Sequence, residues 1–323
     1  MIQPVLKSVR WATFRFRLAP TEGLFLPEYK GSAFRGGFGH VFRKVACPLR
    51  CQDRCQLPAT CIYAYVFETP PPPGSHVLTK IPTAPHPFVI EPSLETRRVY
   101  EPGEELTFQL VLVGRAIDYL PYFIYTFDEL GRVGLGRGRG RYQLVSVESV
   151  GPRGEAALLY DGSKKLLQST FEVMGADDLT KLGGTVPPNG LVTLQFLTPT
   201  RIKSDGHLTD EAEFPILFRS LHWRIALLAY FHCGGAWEEG PKALLKQAEG
   251  VAIEASALRW QDWERYSNRQ KTRMTLGGFV GKVTYRGDLE PFWPYLLLGT
   301  HLHVGKGATF GLGRCRIEGS GLW

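Results

Sequence analysis

Three groups of residues in this 323-residue chain have the types and spacing for chemistry. His40 lies in a stretch where, at 100° per residue, Phe34, Phe38, Val41, Phe42 and Val45 gather on one stripe and Gly36, His40, Arg43 and Lys44 on the other. A core histidine would sit among the phenylalanines, whereas this one shares its stripe with cations. Cys47, Cys51, Cys55 and Cys61 follow directly, separated by three, three and five residues. Four thiolates suit tetrahedral zinc or an iron–sulfur cluster, and four reduced thiols are the plain alternative. The third group is the run Gly299 to Arg314, with His301, His303 and Lys306 set among glycines that can turn tightly and offer backbone N–H groups to phosphate. Its core Gly-Leu-Gly-Arg also occurs in Gly131 to Arg141, which suggests a duplicated unit.

Those residues must be positioned by an ordered scaffold, and its elements are legible as periodicities. Arg10 to Leu18 alternates like a half-buried strand, and Phe34 to Cys47 reads as a helix. Pro70 to Pro73 breaks the chain, and Val77–Ile81 and Phe88–Ile90 read as a short hairpin. A strand at Leu106–Val113, a helix at Asp118–Leu130, the first glycine loop and a strand at Tyr142–Val147 complete a βαββαβ order. After an irregular connection the order recurs: strand Leu191–Leu197, helix Phe214–Phe231, strands Ala252–Leu258 and Gly278–Tyr285, a helix capped by Asp288 and running to Leu298, then strand Arg314–Glu318. The expected fold class is therefore α+β, with tandem ferredoxin-like (RRM-like) βαββαβ domains and a C-terminal Gly-rich loop. The expected domains are 1–150, with the cysteines as an insertion at 47–61, and 191–323, joined by a connecting segment at 151–190.

Lysine and arginine outnumber aspartate and glutamate by 38 to 31, so a polyanion is the natural partner. The run from Arg259 to Arg273 alternates cations with Trp260, Trp263 and Tyr266, which supplies phosphate contacts and flat faces for bases; a solvated hairpin whose tryptophans pack beneath it has the same composition. The start lacks the apolar core of a signal peptide, and no apolar run approaches the ~20 residues of a membrane span. The expectation is a cytoplasmic protein with no membrane association.

Five stretches carry a family resemblance: Gly31 to His40, the cysteine cluster, Thr198 to Lys203, Arg265 to Gln270, and His303 to Arg314. In this order they resemble the CRISPR-associated endoribonucleases of the RAMP superfamily that process precursor CRISPR RNA. The resemblance implies two ferredoxin-like domains and a metal-independent cut within each CRISPR repeat. The RNA's own 2′-hydroxyl attacks the adjacent phosphodiester, leaving a 2′,3′-cyclic phosphate and a 5′-hydroxyl. Such a cut needs a proton acceptor, a proton donor and cations around the phosphorane. By resemblance His40 leads as the catalytic residue, with Lys44 one turn on, Tyr29 or Lys30 approaching from the preceding loop, and His303 with Lys306 as a second candidate. Arg35, Arg43, Arg137, Arg139, Arg141, Arg265, Arg269, Lys271, Lys306 and Arg314 are expected to hold RNA. No cofactor is expected for catalysis, and a structural zinc or iron–sulfur cluster is expected at the cysteines. The expected partners are CRISPR repeat RNA and other CRISPR effector subunits, with the chain a monomer or homodimer. Two other readings remain open at this point: a non-catalytic RNA-binding RAMP subunit, and a zinc-dependent DNA-binding regulator resting on the cysteines alone.

Overall fold

The computed structural model describes residues 3–49, 51, 55–71, 75, 77, 83–175, 178–179, 184–204, 206–237, 240–267 and 272–319, with backbone alone at 264–267 and 272–274. The first half runs β1 (Trp11–Pro20), α1 (Gly31–Ala46), β2 (Phe88–Pro92), β3 (Leu106–Val113), α2 (Leu120–Val133) and β4 (Tyr142–Val150). Its sheet is ordered β2-β3-β1-β4, with β1 antiparallel to both β3 and β4. This is the ferredoxin-like arrangement. The segment after β4 is less irregular than its sequence suggests, because β5 (Ala156–Asp161) and β6 (Leu166–Leu167) extend the same sheet at the β4 edge. Of the expected hairpin, only the Phe88 strand is seen, pairing with β3; positions 78–81 lie outside the described residues.

The second half repeats the order as β7 (Leu191–Thr200), α3 (Phe214–His232), β8 (Ala252–Gln261), β9 (Gly278–Arg286), α4 (Trp293–Leu302) and β10 (Cys315–Ile317), in a sheet ordered β8-β9-β7-β10. Asp288 does not cap α4. A short 3-10 turn at Glu290–Phe292 intervenes, and α4 begins at Trp293 with Pro294 in its first turn, where the missing N–H costs nothing.

Aromatic packing fixes α1 against its sheet. Phe14, Phe16 and Leu18 of β1 point to the helices, and Phe16 stacks on Phe108 with centroids 4.9 Å apart. Phe38 of α1 stacks on Phe123 of α2 at 5.0 Å and Phe42 packs beside it, so the hydrophobic stripe is spent on the core. The stripe bearing His40 is turned outward as a consequence.

Candidate nucleic-acid interface and active site

His40 sits in the second half of the sixteen-residue α1 and is exposed. Gly36 precedes it by four residues on the same face, with open space where a side chain would stand, and Lys44 follows by four. The first glycine loop comes to this face. It is held by Leu135 N–H donating to Gly140 O at 2.9 Å and by Arg137 N–H donating to Phe25 O at 2.9 Å, and Arg139 takes a left-handed backbone with φ 55°. The histidine's pKa is lowered from its usual value, through partial desolvation first and then through neighbouring Lys44 and Arg139. At pH 7 the ring is therefore neutral, able to accept a proton, in a cationic environment suited to a phosphodiester.

Arg137 and Arg139 are exposed and have no carboxylate partner among the described residues; Arg141 lies 3.9 Å from Glu22. Replacing Arg137 and Arg139 together by alanine is expected to flatten the dependence of log K on log salt for single-stranded RNA by about 1 to 1.5. A salt titration checks this. An unchanged slope would show that these arginines do not meet phosphate.

The C-terminal glycine loop has a different role from the one its composition suggests. His303 is fully buried, with Nδ1 2.9 Å from Leu312 O and Nε2 2.8 Å from Glu91 Oε1. Arg314 meets the other oxygen of Glu91 at 3.4 Å. Burial alone pushes the Glu91 carboxyl up, but Arg314 and the His303 hydrogen bond outweigh it and hold the group down at about 2. Tyr29 donates its hydroxyl to Phe310 O at 2.5 Å and stacks on Trp263 with centroids 3.6 Å apart. Burial raises its pKa far above the usual phenol value. Gly31 completes the contact, since a Cβ there would collide with the Phe310 carbonyl. The loop is a clasp between the two halves, and both ring nitrogens of His303 are engaged in it.

Tyr29 and His303 are thus corrected from catalytic candidates to parts of this clasp. It grips the first turn of α1, whereas His40 lies nine residues further on, roughly 14 Å along the axis at 1.5 Å per residue. Lys30 is likewise buried, donating to Glu95 O at 2.6 Å.

Several residues expected to hold RNA are also engaged elsewhere. Arg35 lies between the rings of Phe67 and Phe310, 4.6 and 4.5 Å from their centroids, and donates to Thr309 Oγ1 at 3.0 Å. Arg43 donates to Cys51 O and covers Tyr63, and Arg314 is bound to Glu91. Lys306 is exposed; its pKa is lowered by partial burial first, then by Lys203 and Arg201, which marks a second cluster of cations. Arg265 belongs to a two-stranded hairpin of Glu264–Ser267 with Thr272–Thr275, while Arg269 and Lys271 lie outside the described residues.

Cys47 and Cys61 are buried in the first core and Cys51 and Cys55 pack against it. Burial pushes the Cys55 thiol up to about 11, with Cys61 and Cys51 as its neighbours. Cys61 points its thiol at Ala46 O, 3.7 Å away. Among the described residues no three histidine, cysteine, aspartate or glutamate side chains converge as a metal site.

The sequence reading passed over Glu91 and took His86 as an ordinary structural histidine. Glu91 could have been found as the lone acid in the apolar strand Phe88–Pro92. His86 carries no such signal. It is half-buried, 2.6 Å from Thr69 Oγ1 and 3.4 Å from Arg35, and desolvation first, with Arg35 next, lowers its pKa to about 3.

Two ferredoxin-like sheets in tandem, held together by the glycine-rich clasp, make this a double ferredoxin-like fold. Residues 9–172 match the AF_1859-type N-terminal domain model, and residues 194–315 match the model described as CRISPR-associated endoribonuclease Cas6. The first of these models spans half of the chain, and the second covers its C-terminal part, where the chain is similar to CRISPR-associated Cas6 endoribonucleases. An uncharacterized protein of Archaeoglobus fulgidus is 27% identical over 304 residues, covering 91% of this chain and 93% of its own. Among solved structures, Thermus thermophilus Cas6 is 16% identical over 96% of this chain and 98% of that one, with a TM-score of 0.55. A Cas6 product complex is 17% identical over 95% and 98%, with a TM-score of 0.59. A chain of a partial Cas6-RT-Cas1–Cas2 complex is 15% identical, covering 97% of this chain and 47% of that one, also with a TM-score of 0.59. These structural likenesses concern the fold.

Proposed function

We propose that this chain cleaves precursor CRISPR RNA within its repeats, without a metal, by attack of a 2′-hydroxyl on the adjacent phosphodiester. The observation that carries this reading is the exposed, neutral His40 with Lys44 and Arg139 beside it. His40 withdraws the proton from the 2′-hydroxyl while Lys44 and Arg139 offset the charge that builds on the phosphorane. The products carry a 2′,3′-cyclic phosphate and a 5′-hydroxyl. The test is incubation of end-labelled repeat RNA with the protein in EDTA, followed by end-group analysis. Cleavage that persists in EDTA with those ends is the expected result. Binding without any cut would assign the chain instead as a non-catalytic RNA-binding subunit.

Among the described residues no helix is long and apolar enough to cross a membrane. The proposed substrate places the protein in the cytoplasm. CRISPR repeat RNA is its proposed partner, with other CRISPR effector subunits beside it, and the chain acts as a monomer or homodimer. A boundary between the two halves at 151–190 is proposed on the recurrence of the βαββαβ order.

The cysteines carry a separate proposal, a structural zinc or iron–sulfur cluster, supported by the close spacing of the four thiols in the sequence and by Cys51 and Cys61 lying beside Cys55. Metal analysis after anaerobic purification is expected to give about one zinc ion or one iron–sulfur cluster per chain, lost in Cys55→Ser. Neither zinc nor iron in the wild type removes it.

A further inference from the structure

The two main sheets have four edges between them, and three of these are short or covered. β2 is buried at all five of its positions, β6 has two residues and β10 has three. The fourth edge is different. β8 runs ten residues, Ala252 to Gln261, and pairs with β9 on one side; among the described residues no strand lies along its other side. It is exposed at every position but Leu258 and Gln261. Its sequence contains none of the prolines or lysines that commonly guard a free edge. An open row of N–H and C=O groups of this length is a template for another strand.

The side chains of β8 say which strand would fit. Ile253, Ser256 and Trp260 stand opposite Tyr285, Val283 and Phe279, which face the core, whereas Ala255, Ala257 and Arg259 take the other face. The register with β9 shifts between Ile253 and Ala255, so Glu254 is an extra residue, a bulge. Glu254 is bound by Arg286 at 2.7 and 2.8 Å, and Arg259 has no carboxylate partner among the described residues. Ile253 and Trp260 are large and apolar, yet 39% and 41% exposed.

We propose that the chain forms a homodimer through β8, which pairs antiparallel with β8 of a second copy about a two-fold axis at Ala257 and joins two four-stranded sheets into one. A two-fold axis normal to the sheet pairs residues that share a face, and each contact then occurs twice. Ser256 meets Leu258 of the second copy and Ala255 meets its Arg259. Beyond the bulge Ile253 meets Trp260 of the second copy, so the exposed apolar side chains cover each other. Arg259 comes beside Glu254 of the second copy, which gives the unmatched cation an acid; an in-register parallel pairing would oppose like charges instead. Ala255, Ser256 and Ala257 are small, and the two backbones can close to pairing distance at the axis. The pairing is independent of the chemistry proposed at His40, which lies in the first half of the chain. One strand pair is a small interface, below the roughly 1,200 Å² of stable complexes, so a dissociation constant in the micromolar range is expected.

Sedimentation of the RNA-free protein from about 1 to 100 µM is expected to show a reversible monomer–dimer equilibrium. Arg259→Glu, which acts at both ends of the pair, should weaken the dimer about tenfold, and Ala257→Lys, which sets two like charges across the axis, about fivefold. Ala257→Cys places a thiol opposite its own copy with Cα atoms about 5 Å apart, within disulfide reach, and should cross-link under mild oxidation. Ala255→Cys, offset from its copy by about 13 Å, should cross-link no more than the wild type. A wild-type protein that stays monomeric at the highest of these concentrations would show that β8 does not pair with itself. A dimer that neither charge variant weakens would show that the copies meet elsewhere. Either result overturns the proposal. These substitutions are at exposed positions, so thermal melting should hardly change; should Ala257→Lys fold poorly, Arg259→Glu and Ala257→Cys decide.

Discussion

Replacing His40 by alanine is expected to slow cleavage of repeat RNA by about a hundred- to ten-thousandfold, the usual span for a general acid–base residue, while RNA binding stays within about twofold. The side chain is exposed on the outer face of α1, and its removal leaves the phenylalanine stripe intact, so stability should hardly change. The pH profile adds a second readout. Partial desolvation, Lys44 and Arg139 lower the His40 pKa, which favours the neutral ring. As a proton acceptor it is active when neutral, so activity should fall only as pH drops below the ordinary histidine range near 6.5, with a plateau through neutrality. Lys44→Ala removes one of the cations that lower this pKa and should move the acid limb upward. Single-turnover cleavage of labelled RNA across the pH range measures both. A His40→Ala protein that cuts at the wild-type rate would exclude this residue from the chemistry.

The second large effect concerns stability. Glu91→Ala is expected to cost about 3–5 kcal/mol, because it leaves His303 and the Arg314 side chain at the clasp without their shared carboxylate. Tyr29→Phe, which removes one hydrogen bond to Phe310 O, should cost only about 1 kcal/mol. Denaturant unfolding compares the two. The pH dependence of the clasp has a definite sign. Burial raises the Glu91 pKa, but Arg314 and His303 prevail and bring it to about 2, below the unfolded value of 4.5. Its contribution is therefore complete above pH 4.5 and is lost as pH falls toward 2. Equal costs for Glu91→Ala and Tyr29→Phe would show that the ion pair does not hold the clasp.

Most of the scaffold was legible in one dimension. Phe34, Phe38, Val41 and Phe42 recur with the helical period, and Arg10 to Leu18 alternates with the strand period, because each element buries one face. The turning outward of His40 follows from the same geometry. Asp288 misled because a Pro-containing 3-10 turn lies between it and α4. Glycine-rich composition misled at the C-terminal loop for a related reason: a tight backbone can approach a phosphate or another part of its own chain, and composition does not distinguish them.

Local periodicity thus determined the βαββαβ order, its repetition and the cationic stripe of α1, since these depend on residues a few positions apart. Tertiary structure alone decided the partners. Glu91 and His303 are 212 residues apart, and Tyr29 and Phe310 281 residues apart, yet each pair is in hydrogen-bond contact. Whether an imidazole meets solvent or a buried carboxylate depends on such long-range contacts, which is why His40 and His303, similar as letters in a sequence, hold such different positions in the folded chain.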